Sequence, residues 1–238
     1  MKIMNYEVFV DELSTIDLQT KKVVNTINPH SYITALGDEY FREALQDSDL
    51  LIPDGSGIVL AAKQINKASI KKIAGTDLHN FLLQEMNEKS GKIFYMGASQ
   101  NTLDKIEEKL KRDYPNIVVE SYSPPFKPAF TKEDNDVIVS KINAFEPDVL
   151  FVGMTAPKQE KWLHEHKEQL RFKVASSIGA VFDFYAGTVE RPSQFWLDLH
   201  LEWLPRLLKE PKRLWRRNFV STPLFLYEIF LFKMGLKK

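Results

Sequence analysis

Four stretches of the sequence set polar or conformationally free residues directly behind an apolar run. They are Thr26 and Asn28 in NTINP, Asp54 in LIPDGSG, Gly97 in FYMGAS, and the segment GMTAPKQEKW that follows VLFV. The placement points to chemistry because ligands of open α/β sheets sit beyond the carboxyl ends of the strands. Asp54 is the most pointed of these residues. A carboxylate at a strand end, with Gly55 and Gly57 behind it to let a substrate approach the backbone, can accept a proton as a general base. Position alone gives equal weight to a plainer role, in which Asp54 caps a helix starting near Gly57. In GMTAPKQEKW, Pro157 falls at the first turn of a predicted helix, with Gln159, Glu160 and Trp162 just behind it. Gln159 could read a nucleotide or a sugar from there, although position alone favours an ordinary exposed first-turn residue.

Several other chemistries fail on their residue requirements. GSGIVL begins like a dinucleotide fingerprint but puts Leu60 where the third glycine belongs, and no Gly-Lys-Ser/Thr phosphate loop occurs. A Rossmann oxidoreductase or an NTPase is therefore not expected. The acidic pairs Asp47/Asp49 and Asp134/Asp136 fall before a strand and at a helix start, the wrong ends for a shared metal, and His164 and His166 lack the i, i+4 spacing of a zincin. The absence of cysteine removes thiolate ligands, cysteine nucleophiles and disulfides, and suits a reducing compartment. Neither a metal nor a cofactor is expected.

The elements that must position these residues are written as apolar runs bounded by turn signals. KVVNTI (22–27), LLIPD (50–54), KIFYMGA (92–98), NIVVESY (116–122), VLFVGM (149–154) and KVASSIG (173–179) predict six strands. Between them run helical patterns: Leu103, Ile106 and Leu110 share one face, and Val137, Ile138, Ile142 and Phe145 another, with Thr131 and Asp134 as a capping box. Strands alternating with helices predict an α/β, Rossmann-like fold, a largely parallel sheet with helices on both faces. Near residue 190 the pattern changes. A catalytic domain over 1–190 gives way to a helical appendage over 191–238, punctuated by Pro192, Pro205, Pro211 and Pro223.

The chain's 238 residues are enough to bury a full core, and its formal net charge of zero hides an asymmetry. From residue 204 onward there are nine basic residues against two acidic ones, an excess of seven that the rest of the chain must cancel. A basic, aromatic tail on an acidic body suits an anionic surface, a membrane or phosphates; the plainer alternative is a solvated helix face. The apolar stretch from Phe219 to Phe232 contains Pro223 and Glu228 and falls short of the ~20 residues that span a bilayer, so it should lie on a membrane or pack on the body. The opening MKIMNYEVFVDELS lacks the uninterrupted apolar region of a secretory signal, and a cytoplasmic protein is expected. No nucleic-acid partner is expected, and the oligomeric state, a homo-oligomer included, stays open.

Taken in order, NTINPH, LLIPDGSG, IAGTDL, FYMGAS, PPF at 124–126, VGMTAPKQEKW, SSIGAVFDFYAGTVERP and LEWLPRLLKEPKRLWRR give the chain a resemblance to the WecG/TagA/CpsF glycosyltransferases over nearly its whole length. The resemblance implies an inverting hexosyltransferase. It would move N-acetylmannosamine or a related sugar from a UDP carrier to an undecaprenyl-diphosphate-linked acceptor, in teichoic acid, common antigen, capsule or exopolysaccharide assembly. Residue by residue, Asp54 matches the family's proposed catalytic base, and Thr26 and Gln159 match polar residues lining its active site. Arg206 matches an arginine thought to reach the donor diphosphate, and Arg213 and Arg216 match further basic residues of an appendage that resembles a membrane-docking element. Lys72 stands where many relatives carry arginine, which turns a bidentate phosphate contact into a point charge. Thr155, Ala156 and Ser177 to Ala180 replace more glycine-rich versions, which leaves the donor sugar's identity open. The reading from another class is a noncatalytic nucleotide-sugar-binding or membrane scaffold protein; Asp54 and Arg206 together argue against it.

Overall fold

The chain opens with a short antiparallel hairpin, β1 (Lys2–Ile3) and β2 (Tyr6–Glu7), and then builds one six-stranded parallel sheet. In this computed structural model residues 1–189, 196, 204, 207, 208 and 211–237 are described, with the backbone alone for Lys212 and Arg213. The sheet's strands are β3 (Lys22–Ile27), β4 (Leu50–Pro53), β5 (Lys92–Gly97), β6 (Val118–Tyr122), β7 (Val149–Gly153) and β8 (Val174–Ser177), in the spatial order β4-β3-β8-β7-β5-β6. All six fall within the apolar runs of the sequence. The central strands β7 and β8 are buried along their whole length, as a parallel strand covered on both faces must be.

Helices pack on both faces because successive crossovers pass above and below the sheet. On one face lie α1 (Pro29–Leu36), α2 (Glu39–Gln46) and α3 (Ser56–Ala61), joined with α6 (Lys132–Phe145) and α7 (Lys158–His166). On the other lie α4 (Gly75–Lys89), α5 (Gln100–Asp113) and α8 (Gly179–Ala186), which bury Leu78, Leu82, Leu103, Ile106, Leu110 and Phe182 against Val24, Ile93 and Phe151. The Thr131/Asp134 capping box forms at the start of α6, and its apolar face is Ile138, Ile142 and Phe145. Val137, expected on that face, is exposed, because one helical step of 100° carries it past the edge of the stripe.

The C-terminal part is one helical run, α9 (Pro211–Arg216), a π-helical turn over Arg217–Ser221 and α10 (Thr222–Lys233). The wide turn precedes Pro223, whose ring cannot donate to the helix ladder. The α10 helix docks on the body rather than standing apart from it. Phe225 is 0% exposed and meets the Tyr32 ring edge-on at 5.3 Å, and Ile229 joins the same cluster with Ile3, Tyr6 and Ile58. Glu228 faces the body too, accepting from the Tyr32 hydroxyl at 3.4 Å and from Lys237 at 2.5 Å. Of the two placements open to this apolar stretch from sequence, on a membrane or on the body, Phe225 takes the second and is a core residue. The opposite face of the run stays apolar and exposed, through Trp215, Phe219, Leu226, Tyr227 and Phe230. No helix among the described residues is long and apolar enough to cross a membrane.

Candidate active site

The carboxyl ends of all six strands open into one cleft of about 1110 Å³, the upper end of the size usual for ligand sites. Its lining brings together five of the residues singled out by sequence: Thr26, Asn28, Asp54, Gly97 and Gln159. Asp54 follows the last residue of β4, and its backbone N–H donates to Ile27 at 2.9 Å, which fixes it beside the end of β3. The cap position of α3 belongs to Gly55, so Asp54 is not that helix's cap residue. It is half-buried at the cleft wall, beside Thr26 and Asn28.

Several of these residues have structural work that limits what they can offer a ligand. Asn28 caps α1 with its side-chain oxygen, accepting from His30 and Ser31 at 3.0 Å each, so only its amide nitrogen remains for a substrate. Gly97 has φ +114°, and a Cβ there would sit 2.3 Å from the Gly153 carbonyl oxygen, which itself accepts from Ala98 N–H at 2.8 Å. Gly97 is thus required where β5 and β7 end in close contact. Gln159 is buried, not an exposed first-turn residue. Its Oε1 accepts from the backbone N–H groups of Met154 and Gly179, both at 3.1 Å, which ties the ends of β7 and β8 together. The orientation so imposed sends Nε2 to Glu160 Oε1 at 2.9 Å.

Lys72 is exposed and not among the cleft-lining residues, though Ile73 beside it donates to Pro53 at 3.0 Å and so holds Lys72 near the Asp54 end of β4. Arg216 is likewise exposed and outside the lining, whereas its neighbour Arg217 is in it. Arg206 and the Arg213 side chain lie outside the described residues. Arg216 and Arg217 are successive residues of one helical run, and a single step of about 100° between them sets only the second in the cleft lining. His30, also in the lining, meets Ser221 of that turn at 2.9 Å. Burial lowers its pKa, helped by the positive charges of Arg217 and Arg216.

Two further lining residues carry chemistry that the sequence reading did not assign. Glu160, named but given no role, is only 4% exposed, and burial raises its carboxyl to about 7 against the opposing hydrogen bond from Gln159. Phe126 is fully exposed at the rim, in a loop stiffened by Pro124, Pro125 and Pro128 and tied to the end of β5 by Ser123 Oγ donating to Ala98 at 2.8 Å. The acidic pairs have structural partners. Asp49 accepts from Val23 N–H at 2.7 Å, Asp47 pairs with Lys167 and with His164, and Asp134 pairs with Lys127 at 2.7 Å.

A family model described as glycosyl transferase, WecG/TagA/CpsF family, matches residues 1–238, the whole chain. The chain belongs to the WecG/TagA/CpsF family of glycosyltransferases. This glycosyltransferase is 35% identical over 217 residues to the N-acetylglucosaminyldiphosphoundecaprenol N-acetyl-beta-D-mannosaminyltransferase of Bacillus spizizenii, covering 90% of the chain and 82% of that protein. It is 31% identical over 221 residues to the enzyme of the same name from Bacillus subtilis, covering 92% and 84%. With the Staphylococcus aureus enzyme of that name it shares 28% over 236 residues, covering 99% and 89%. The family match spans the α/β body and the C-terminal helices alike.

Proposed function

We propose that this hexosyltransferase moves N-acetylmannosamine, or a closely related N-acetylhexosamine, from a UDP carrier to a hydroxyl of an undecaprenyl-diphosphate-linked sugar. The observation that carries the reading is Asp54, set at the end of β4 in the wall of a cleft large enough for a nucleotide sugar. The names of the relatives, mannosaminyltransferases acting on N-acetylglucosaminyldiphosphoundecaprenol, support the choice of donor sugar and acceptor.

In the proposed reaction an acceptor oxygen attacks the anomeric carbon of the donor sugar as the bond to UDP breaks, and the configuration inverts. Asp54 takes the acceptor's proton during attack. An alcohol is a far weaker acid than a carboxylic acid and is not ionised beforehand, so proton transfer accompanies bond formation. UDP leaves with added negative charge, which needs cations or backbone dipoles aimed at it. Arg217 in the cleft, Arg206 and Arg213 of the C-terminal part, and Lys72 and Arg216 near the rim are the groups proposed to meet it. Thr26, Asn28 and the backbone at Gly97 hold the substrates in place, and Gln159 acts through the loop it ties down. No metal is assigned a role.

The proposal places the enzyme at the inner face of the membrane, held by the exposed apolar face of α9 and α10 and the surrounding basic residues. A radiolabelled transfer assay with UDP-N-acetylmannosamine and a short-chain lipid-diphosphate N-acetylglucosamine tests the reaction. Formation of a disaccharide lipid that resists EDTA is the expected result; no transfer from any UDP-N-acetylhexosamine would leave the scaffold reading in its place.

A further inference from the structure

The floor of the cleft holds a second polar feature, away from Asp54. Two side-chain oxygens there are buried and have no hydrogen-bond partner among the described residues: Glu160 Oε2 and Ser177 Oγ. Glu160 is 4% exposed and Ser177 2%, so neither atom is compensated by bulk water. Leaving such groups unmet carries a desolvation cost, which a ligand completing the bonds would recover.

The local architecture sets the two at the ends of neighbouring strands. Ser177 ends β8 and pairs in register with Val152 of β7, while Glu160 sits in the first turn of α7, the helix that follows β7. Gln159 clamps the loops leaving both strands, because its Oε1 takes N–H groups from Met154 and from Gly179. A Cβ on Gly179 would fall 2.7 Å from that oxygen, so only glycine leaves room for the clamp. With Oε1 so engaged, Gln159 can present only N–H to Glu160, and Glu160 must accept it on one oxygen. The other oxygen is held in place by that bond, without a partner, in a residue of the cleft lining.

We infer that Glu160 Oε2 and Ser177 Oγ form a two-point receptor for a neutral hydroxyl of the nucleotide sugar, carried either on its ribose or on its hexose. A hydroxyl suits both partners, since it donates to one oxygen while accepting from the other. The diphosphate does not suit them, because a buried carboxyl oxygen beside it adds repulsion without a compensating cation. The end of β4 lies two strand spacings, about 10 Å, from the end of β8 and three, about 14 Å, from the end of β7, so this receptor holds the donor rather than sharing the proton transfer at Asp54. The carboxyl, raised to about 7 by burial, exists in both forms near neutral pH, and a hydroxyl can pair with either.

The inference rests on the UDP-sugar reading above, and calorimetry on the full-length protein with UDP and with UDP-N-acetylmannosamine separates the two. Ser177→Ala removes an unpartnered hydroxyl, so its melting temperature should hold or rise while donor affinity falls about 3–10-fold, an effect no structural role predicts. Glu160→Ala should weaken binding at least 10-fold, and Glu160→Gln, which still accepts from Gln159 and presents an amide to the cleft, should bind within about 3-fold of wild type. Losses with UDP as well as with UDP-N-acetylmannosamine put the hydroxyl on the ribose; losses with the sugar nucleotide alone put it on the hexose. Wild type that binds neither ligand overturns the donor reading and this inference with it. Wild type that binds while Ser177→Ala and Glu160→Ala bind equally tightly overturns the receptor alone.

Discussion

Truncating one buried ring on α10 tests whether the C-terminal helices are part of the catalytic body or an appendage to it. Phe225 is fully buried, packed edge-on against Tyr32 and in one cluster with Ile3, Tyr6, Ile58 and Ile229. Phe225→Ala deletes the ring and leaves a cavity that α1 and α3, anchored on the sheet, cannot close, which costs about 3–5 kcal/mol. For a chain of this size each kcal/mol lowers the melting temperature by about 2–4 °C, so a drop of roughly 6–20 °C is expected. Phe230, five residues further on, on another face of the helix and 51% exposed, is the control: Phe230→Ala should change stability by no more than about 0.5 kcal/mol. In co-sedimentation with anionic vesicles the roles should reverse, with Phe230→Ala weakening association. Scanning calorimetry and urea titration read the first effect. Equal, small losses for both variants would show that α10 does not complete the core, and would restore a separable tail. With the helix packed as described, deleting the chain from residue 204 onward exposes Tyr32, Tyr6 and Ile58 and should destabilise the body as well as release it from membranes.

Asp54→Asn should keep the fold and UDP binding while lowering turnover by roughly 10²–10⁴-fold, measured by single-turnover transfer; near-normal turnover would remove Asp54 as the base. Stability should depend on pH through Glu160. Its carboxyl, raised from 4.5 to about 7 by burial, holds a proton more tightly in the folded chain than in the unfolded one, so stability falls as pH climbs from about 4.5 to about 7 and levels off above. The full effect is about 3 kcal/mol at 1.36 kcal/mol per unit, and Glu160→Gln should lose that slope in urea midpoints compared between pH 5 and pH 8. Arg217→Ala should raise the His30 titration midpoint followed by NMR, because the guanidinium's charge helps to lower it. An unmoved midpoint would place Arg217 too far from His30 to share its end of the cleft.

What the sequence alone determined follows from local rules. Apolar runs with turn signals fixed six parallel strands because a strand covered on both faces can carry little but apolar residues, and the rule that ligands gather at strand ends picked Thr26, Asn28, Asp54, Gly97 and Gln159 before any contact was known. Tertiary structure decided what those residues have left to offer. Gln159 reads from sequence as an exposed first-turn polar group, yet two backbone N–H groups from different loops consume its oxygen, and its nitrogen is turned to the buried carboxyl of Glu160. Burial of Phe225 and exposure of Phe230 could not be read from a stretch apolar all round, because which face meets the body depends on α1 and α3, far away in sequence. Arg217 enters the cleft where Arg216 does not because one helical step of about 100° separates them, and which of the two directions meets the body depends on how the helix docks. Composition and periodicity report which atoms avoid water; which partner each remaining polar atom finds is settled only when distant segments meet.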